Sequence, residues 1–284
     1  MIEVKKVSID IIEQVKMEVQ KLRGEIVDVC PNPILREDIF DILAMYCTIV
    51  YYPLKSERNH GFHIKDDVNI TNAGDFVYIN TAHTLDKQVF TAAHELGHIL
   101  EIAEKVCENL EKCFDDEIDD KITNLFAAEL IMPKELFEKL YYNYVNIFEE
   151  VKSSTDIVEF LKVVSMLMNE FLVPYKAVVL RCFELKLINK EITQMLVEAY
   201  DDDRSMLKKV LERIILEQGH VKLLKPTEKK YIKNLSDILN SAQESGKFTD
   251  EKIVNMKKLF DLDTVEQSDV KLSIDKIKKN GIKE

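Results

Sequence analysis

No stretch of this chain is apolar for long enough to cross a membrane. The start, Met1-Ile2-Glu3-Val4-Lys5-Lys6, runs into an amphipathic segment and not into an apolar leader core, so the expectation is a cytoplasmic protein without a targeting peptide. Positive charge is scarce: 39 Lys and Arg face 51 Asp and Glu, a formal net charge of −12. Phosphate contacts need Lys and Arg, which speaks against non-specific nucleic-acid binding by the surface as a whole and leaves only a small basic patch open. Cysteine is sparse, scattered and odd in number. Cys30, Cys47, Cys107, Cys113 and Cys182 fit reduced thiols better than a disulfide framework. The spacing of Cys107 and Cys113 is no common zinc signature, so these two read as buried or idle thiols.

With 284 residues and 46% apolar composition, the chain can bury a substantial core and has room for more than one domain. Its most informative stretch is Phe90-Thr91-Ala92-Ala93-His94-Glu95-Leu96-Gly97-His98-Ile99-Leu100, which contains H-E-x-x-H. On a helix His94 and His98 stand one turn apart on one face, close enough for two neutral imidazoles to hold one metal ion. Glu95 is placed to take a proton from a water held by that ion and to pass it to a leaving amine. Zinc is the default ion, because it accepts imidazole and carboxylate and leaves a position open for water. Chance produces this pattern in about one such chain in a hundred. Ala92, Ala93, Leu96, Ile99 and Leu100 make the other faces apolar, and a core helix does not carry His, Glu and His without partners. Gly97, a poor helix former, either lets a neighbour pack closely or keeps the pocket open.

Around this helix the pattern alternates between helix and strand. A helix is expected over Ser8–Gly24, with Ile11, Ile12, Val15, Val19 and Leu22 on one stripe and Ser8 as its cap. A second is expected over Leu35–Tyr46, after Pro31 and Pro33. Residues 47–52, 60–64, 68–70 and 76–80 read as short strands, with a turn at Asn72-Ala73-Gly74-Asp75. A small curled sheet thus precedes the metal helix, whose start is capped by Thr84 or Asp86 and which is expected to run to about Ala103. A sheet edge beside such a helix can hold a substrate backbone in extended form. The acidic run Glu101, Glu104, Glu108 and Glu111 reads as a solvated face.

Two histidines leave room for a third protein ligand. It is expected on the helix from Asp115 to Met132, which Pro133 ends. Glu117, Asp120, Asn124 and Ala127 share one inward stripe there, with Asp119 and Glu129 on other faces. Asp120 is the best candidate by this geometry and Glu117 the reserve; either also fits as a surface carboxylate at a helix start. Tyr78, His63 and His83 are the candidates for stabilising a tetrahedral oxyanion, with no ground in the sequence for choosing. His63 reads more readily as a structural histidine.

From Met1 to about Pro133 the chain resembles the ImmA/IrrE family of zinc metallopeptidases. The resemblance rests on Ile79-Asn80, on Phe90–His98, and on Asn124-Leu125-Phe126-Ala127-Ala128-Glu129-Leu130-Ile131-Met132-Pro133. It implies an α+β fold: a zincin-like minimal metallopeptidase domain, a small curled sheet with helices, at residues 1–150. A helix-turn-helix-like segment follows at 151–190, and an all-helical region of open role at 191–284. It implies Zn²⁺ held by His94, His98 and the residue at position 120, where the family has Glu and this chain has the shorter Asp120. That departure opens the way to a weaker site, another metal, or Glu117 instead. It also implies a cytoplasmic endopeptidase that cleaves a helix-turn-helix transcriptional repressor, in the setting of transcription regulation and mobile genetic elements.

Two other classes stay in view: a non-catalytic binding or toxin–antitoxin-like partner, and a DNA-associated regulator built on residues 160–190. Glu95 argues against the first, since a structural metal site has no use for it. Arg181 and Lys186 are too few for the second, and a helical brace explains that segment as well. Further helices are expected over Glu191–Glu217, broken near Asp201-Asp202-Asp203, and over Thr227–Gln243, Thr249–Phe260 and Asp269–Lys279, with a loose tail from Asn280 to Glu284. This part reads as a small bundle for a partner, a substrate protein or self-association.

Overall fold

The computed structural model describes residues 8–56, 58–65, 74–111, 114–147, 157–246 and 248–262. The strand expected at Val68-Asn69-Ile70, Asn72 and Ala73 of the turn, Cys113, and the helix and tail expected beyond Asp269 lie outside these. Among the described residues the fold is α+β, as expected: twelve α-helices and a four-stranded sheet.

Helix α1 (Ile9–Ile26) forms because Val15, Val19, Leu22 and Ile26 recur at helical spacing, and all four are buried. The Pro31–Pro33 loop is strapped to it by Arg23, whose guanidinium donates to Pro33 O at 2.8 Å and to Leu130 O at 2.5 Å. Helix α2 (Asp38–Leu43) is shorter than the expected Leu35–Tyr46. Arg36 takes a left-handed φ of 47° just before it. That turn lets its guanidinium reach Asn169 O and Glu170 O, at 2.7 and 3.1 Å, on the far side of the core.

Strands β1 (Thr48–Tyr52), β2 (Gly61–Ile64) and β3 (Phe76–Asn80) fall where alternation puts them. The sheet order is β2-β3-β1-β4, with β1 parallel to β3 and β2 antiparallel to β3. Strand β4 (Tyr231–Ile232) pairs antiparallel with β1 and comes from a stretch read as helix in the sequence. One face of the sheet, with Ile49, Tyr51, Val77 and Ile79, is part of the main core. The opposite face, with Val50 and Tyr52, is covered by Leu235, Leu239, Ile253 and Phe260.

Helix α3 (Leu85–Ile99) carries the H-E-x-x-H motif. It ends sooner than the expected Ala103, because Glu101 adopts φ 52° and starts helix α4 (Ile102–Asn109) in a new direction. The Leu100 carbonyl exposed at this break accepts from Lys105 Nζ at 2.6 Å. Helix α5 (Asp116–Ile131) lies against α3, and Asp115 caps it by accepting from Ile118 N at 2.8 Å. Helices α6 (Lys134–Ile147), α7 (Ile157–Phe171) and α8 (Tyr175–Glu184) complete the core. No single helix among the described residues is long and apolar enough to cross a membrane, and the apolar α7–α8 pair is bent by 104°. Helices α9 (Lys190–Asp201), α10 (Leu207–Glu217), α11 (Leu235–Glu244) and α12 (Asp250–Leu259) follow. The expected break near Asp201–Asp203 is present, and the Thr249 side chain caps α12 by accepting from Lys252 N. The helix expected over Thr227–Gln243 begins only at Leu235, since the chain before it is spent on β4.

Candidate metal centre

Helix α3 is amphipathic only in part. Ala92, Ala93 and Leu96 are fully buried, and the edge bearing His94 and His98 looks toward the start of α5. The approach of the two helices depends on Gly97. A Cβ there would meet Thr123 Cγ2 at 2.7 Å and Phe126 Cδ1 at 3.0 Å. Of the two roles open to this glycine in the sequence, close packing is the one realised.

The two imidazoles face each other through Nε2, 3.0 Å apart. Each is backed on its other nitrogen. His94 Nδ1 lies 3.1 Å from Asn124 Oδ1, and His98 Nδ1 lies 3.4 Å from Asp119 Oδ1. Both backing atoms are acceptors, so both Nδ1 atoms are set up as donors and both Nε2 lone pairs converge on one point. Two facing lone pairs repel unless a cation lies between them. Asp120 supplies the third group: its Oδ1 is 3.9 Å from His94 Nε2, and ligand atoms of His94, His98 and Asp120 all lie within 4.8 Å of one another. Zinc–nitrogen bonds of about 2.0–2.1 Å in a tetrahedron put ligand atoms about 3.3 Å apart, so the donor set fits a small divalent ion after modest closure. Asp120 has the most closing to do, with its side chain 71% exposed. Burial, then the neighbouring His98, lowers the pKa of His94, which favours the neutral imidazole that ligates.

Glu117, the reserve ligand, is elsewhere: it pairs with Lys121, and its side chain is 65% exposed. Asp119 is the residue the sequence reading passed over. A step of about 100° per residue lets Asp119 and Asp120 straddle one edge of α5. With α3 close by, Asp120 reaches His94 and Asp119 reaches His98, while Thr123 Oγ1 donates to Asp119 at 3.2 Å. The signal available was the Asp-Asp doublet itself, which a single-stripe reading splits between two faces.

Glu95 is buried, 6% exposed, and burial, with the Asp120 charge second, raises its pKa to about 7. It lines the cleft beside the ligand cluster. The close neighbour across from it is Gly61 of β2. A Cβ at Gly61 would lie 2.6 Å from both Thr91 Cγ2 and Tyr78 O, and 3.7 Å from Glu95 Oε1. Only glycine lets the strand come this near the helix, a second feature the sequence reading missed. Among the described residues β2 is an edge strand of the sheet, and its Gly61, Phe62 and His63 line the cleft.

The cleft extends both ways from Glu95. A volume of about 1090 Å³ on the N-terminal side of α3 is lined by His60, His83, Lys87, His94 and Tyr200 among others. One of about 420 Å³ lies past His98, lined by His63, Asp75, Glu101 and Glu104 among others. The three oxyanion candidates separate here. The Tyr78 hydroxyl donates to Tyr52 O at 2.8 Å and is committed to the sheet. His63 pairs with Asp75 at 2.7 Å in the smaller lobe, and His83 stacks on His60, ring centroids 4.3 Å apart, in the larger. The helix-turn-helix-like segment is internal: α7 and α8 bury Leu161, Val164, Leu167, Phe171, Val178 and Val179, and Arg181 is 2% exposed.

Residues 44–183 match the model of the IrrE N-terminal-like domain, a peptidase class. No curated protein matches the chain.

Proposed function

We propose, from the match of residues 44–183 to the IrrE N-terminal-like domain and its metallopeptidase-type fold, that this chain is a zinc-dependent endopeptidase working through His94, Glu95, His98 and Asp120. The observation that carries the proposal is the pair of convergent Nε2 atoms, each imidazole backed by its own acceptor on α5, with a buried carboxylate alongside.

His94, His98 and Asp120 would hold the ion, whose Lewis acidity would lower the pKa of water and polarise a scissile carbonyl. The chain's own residues do the rest. Asn124 and Asp119 keep the two rings in the tautomer that offers Nε2. Glu95, with its pKa raised toward neutrality by burial, takes a proton from the attacking water and returns it to the leaving nitrogen. The edge of β2, which no other strand among the described residues covers and which Gly61 lets come close, holds the peptide extended across the cleft. His83 or His63, from the walls of the two lobes, supplies the donor to the oxyanion. Following the family resemblance, the substrate we propose is a helix-turn-helix repressor whose cleavage relieves repression.

Metal content of the purified wild type, Asp120→Ala, Glu117→Ala and Glu95→Gln tests this. The expected outcome is about one zinc per wild-type chain, retention in Glu117→Ala and Glu95→Gln, loss in Asp120→Ala, and proteolysis abolished in Glu95→Gln. A wild type that takes up no transition metal on reconstitution would sink the peptidase reading and leave a binding protein.

A further inference from the structure

The larger lobe of the cleft is charged unevenly. Lys176 is paired with Asp201 at 2.6 Å, and Lys208 with Asp203 at 3.4 Å. Arg58 and Lys87 line the same lobe, and among the described residues neither has a carboxylate within ion-pair distance. Lys87 stands in the first turn of α3, where the aligned peptide dipoles add positive potential. Behind it the stacked His60–His83 pair forms an apolar-bodied wall. Burial, then His83, then Lys87, lowers the pKa of His60 to about 4, so the positive charge here belongs to Lys87 and Arg58. Two cations in this cleft without an ion-pair partner among the described residues, in a chain of net charge −12, call for an explanation in ligand chemistry.

Position along the cleft follows from the helix. Lys87 precedes His94 by seven residues on α3, two turns, so both leave nearly the same face about 10 Å apart. An extended peptide covers that distance in about three residues. Direction follows from β2. It begins at Gly61 beside Glu95, and just past its end Lys65 reaches Glu101 at 2.8 Å, so β2 runs the same way as α3. A peptide added antiparallel to β2, the commoner pairing, runs the opposite way, and its C-terminal side lies toward Lys87. The other lobe, at the C-terminal end of α3, carries Glu104, which has no ion-pair partner among the described residues.

We propose that Lys87 and Arg58 form a specificity subsite for a substrate carboxylate about three residues C-terminal to the cleaved bond. The inference rests on the peptidase reading above. It commits to an acidic side chain; the other source of the same chemistry is the free C-terminus of a short peptide.

The test is cleavage-site mapping by mass spectrometry. The zinc-loaded full chain is given a mixture of unstructured peptides, once with free and once with amidated C-termini, for wild type, Lys87→Glu and Arg58→Gln/Lys87→Gln. The expected result is enrichment of Asp and Glu two to four residues C-terminal to the cut in both peptide sets. The double substitution should lower that preference about two- to fivefold, the range of an exposed ion pair. Lys87→Glu should turn it toward Lys and Arg, an inversion that mere loss of structure does not produce. Enrichment confined to free C-termini would overturn the side-chain assignment. Cleavage without acidic preference, or with a preference that survives Lys87→Glu, would overturn the subsite and leave the peptidase standing. A wild type that cuts no peptide would overturn both.

Discussion

At the scale of single residues, the centre is a set of paired commitments. Each histidine gives one nitrogen to α5 and turns the other inward, and the α5 groups doing this are Asn124 for His94 and Asp119 for His98. Asp119→Asn preserves shape and removes the charge that fixes the His98 tautomer. Its expected effect is a loss of about 10- to 100-fold in zinc affinity, measured by competition with a chelating dye, with the fold intact by circular dichroism. Asp120 is the more exposed partner, with Oδ1 at 3.9 Å from His94 Nε2. One added methylene in Asp120→Glu brings the carboxylate toward the point where the imidazoles converge. Zinc affinity in the same assay is expected to rise; a fall would mean that α5 closes on the ion enough for aspartate to be the better fit.

At the scale of elements, the site is made by how closely α3 and α5 approach. Gly97→Ala gains about 1 kcal/mol of helix propensity. It also sets a methyl 2.7 Å from Thr123 Cγ2 and 3.0 Å from Phe126 Cδ1. Both neighbours are fully buried and cannot yield, so overpacking wins, with a net cost of about 1–3 kcal/mol and weakened metal binding. Thr123→Ser removes the methyl in question while keeping the hydroxyl that donates to Asp119. In urea unfolding, the double variant is expected to recover part of the stability lost in Gly97→Ala. Additive losses would place the strain elsewhere.

At the scale of the whole molecule, residues far from α3 in the chain brace the candidate centre. The buried Arg181 guanidinium of α8 donates to Glu129 at 2.5 Å and to Met132 O at 3.1 Å, both at the end of α5. Arg181→Ala leaves the Glu129 carboxylate buried and unpaired, with an expected cost of about 3–5 kcal/mol. Arg181 also pairs with Glu184 at 3.0 Å, so Arg181→Met with Glu129→Gln and Glu184→Gln, which removes all three charges, is expected to regain most of it in the same denaturation assay. Farther along, residues 226–232 grip the start of α3. Glu228 N donates to Thr81 O at 2.9 Å, Thr81 Oγ1 donates to Lys229 O at 2.7 Å, and Thr227 Oγ1 donates to Gln88 Oε1 at 3.1 Å. Asn80, fully buried, ties the loop after β1 to the same turn through Leu54, Asn59 and Ala82.

Local pattern was enough for much of this. The spacing of His94 and His98, the apolar stripe of α1, the alternation of β1 and β3 and the starts of α5 near Asp115 and of α12 near Thr249 are properties of neighbouring residues, and helical or strand geometry converts them directly into structure. Where the sequence reading stopped short, the cause was a partner far away in the chain. Arg36 shortens α2 to reach the end of α7, and Glu101 turns the chain where Lys65 and Lys105 hold it. Residues 231–232 become a strand because β1 has a free edge to pair with. Gly61 reveals its role only with Thr91 and Tyr78 around it, and Asp119 becomes a partner of His98 only once α3 lies against α5. The sequence by itself determined the fold class and which side chains could bind a metal. Tertiary structure decided which carboxylates approach the histidines, because that depends on the distance between two helices, which no single helix encodes.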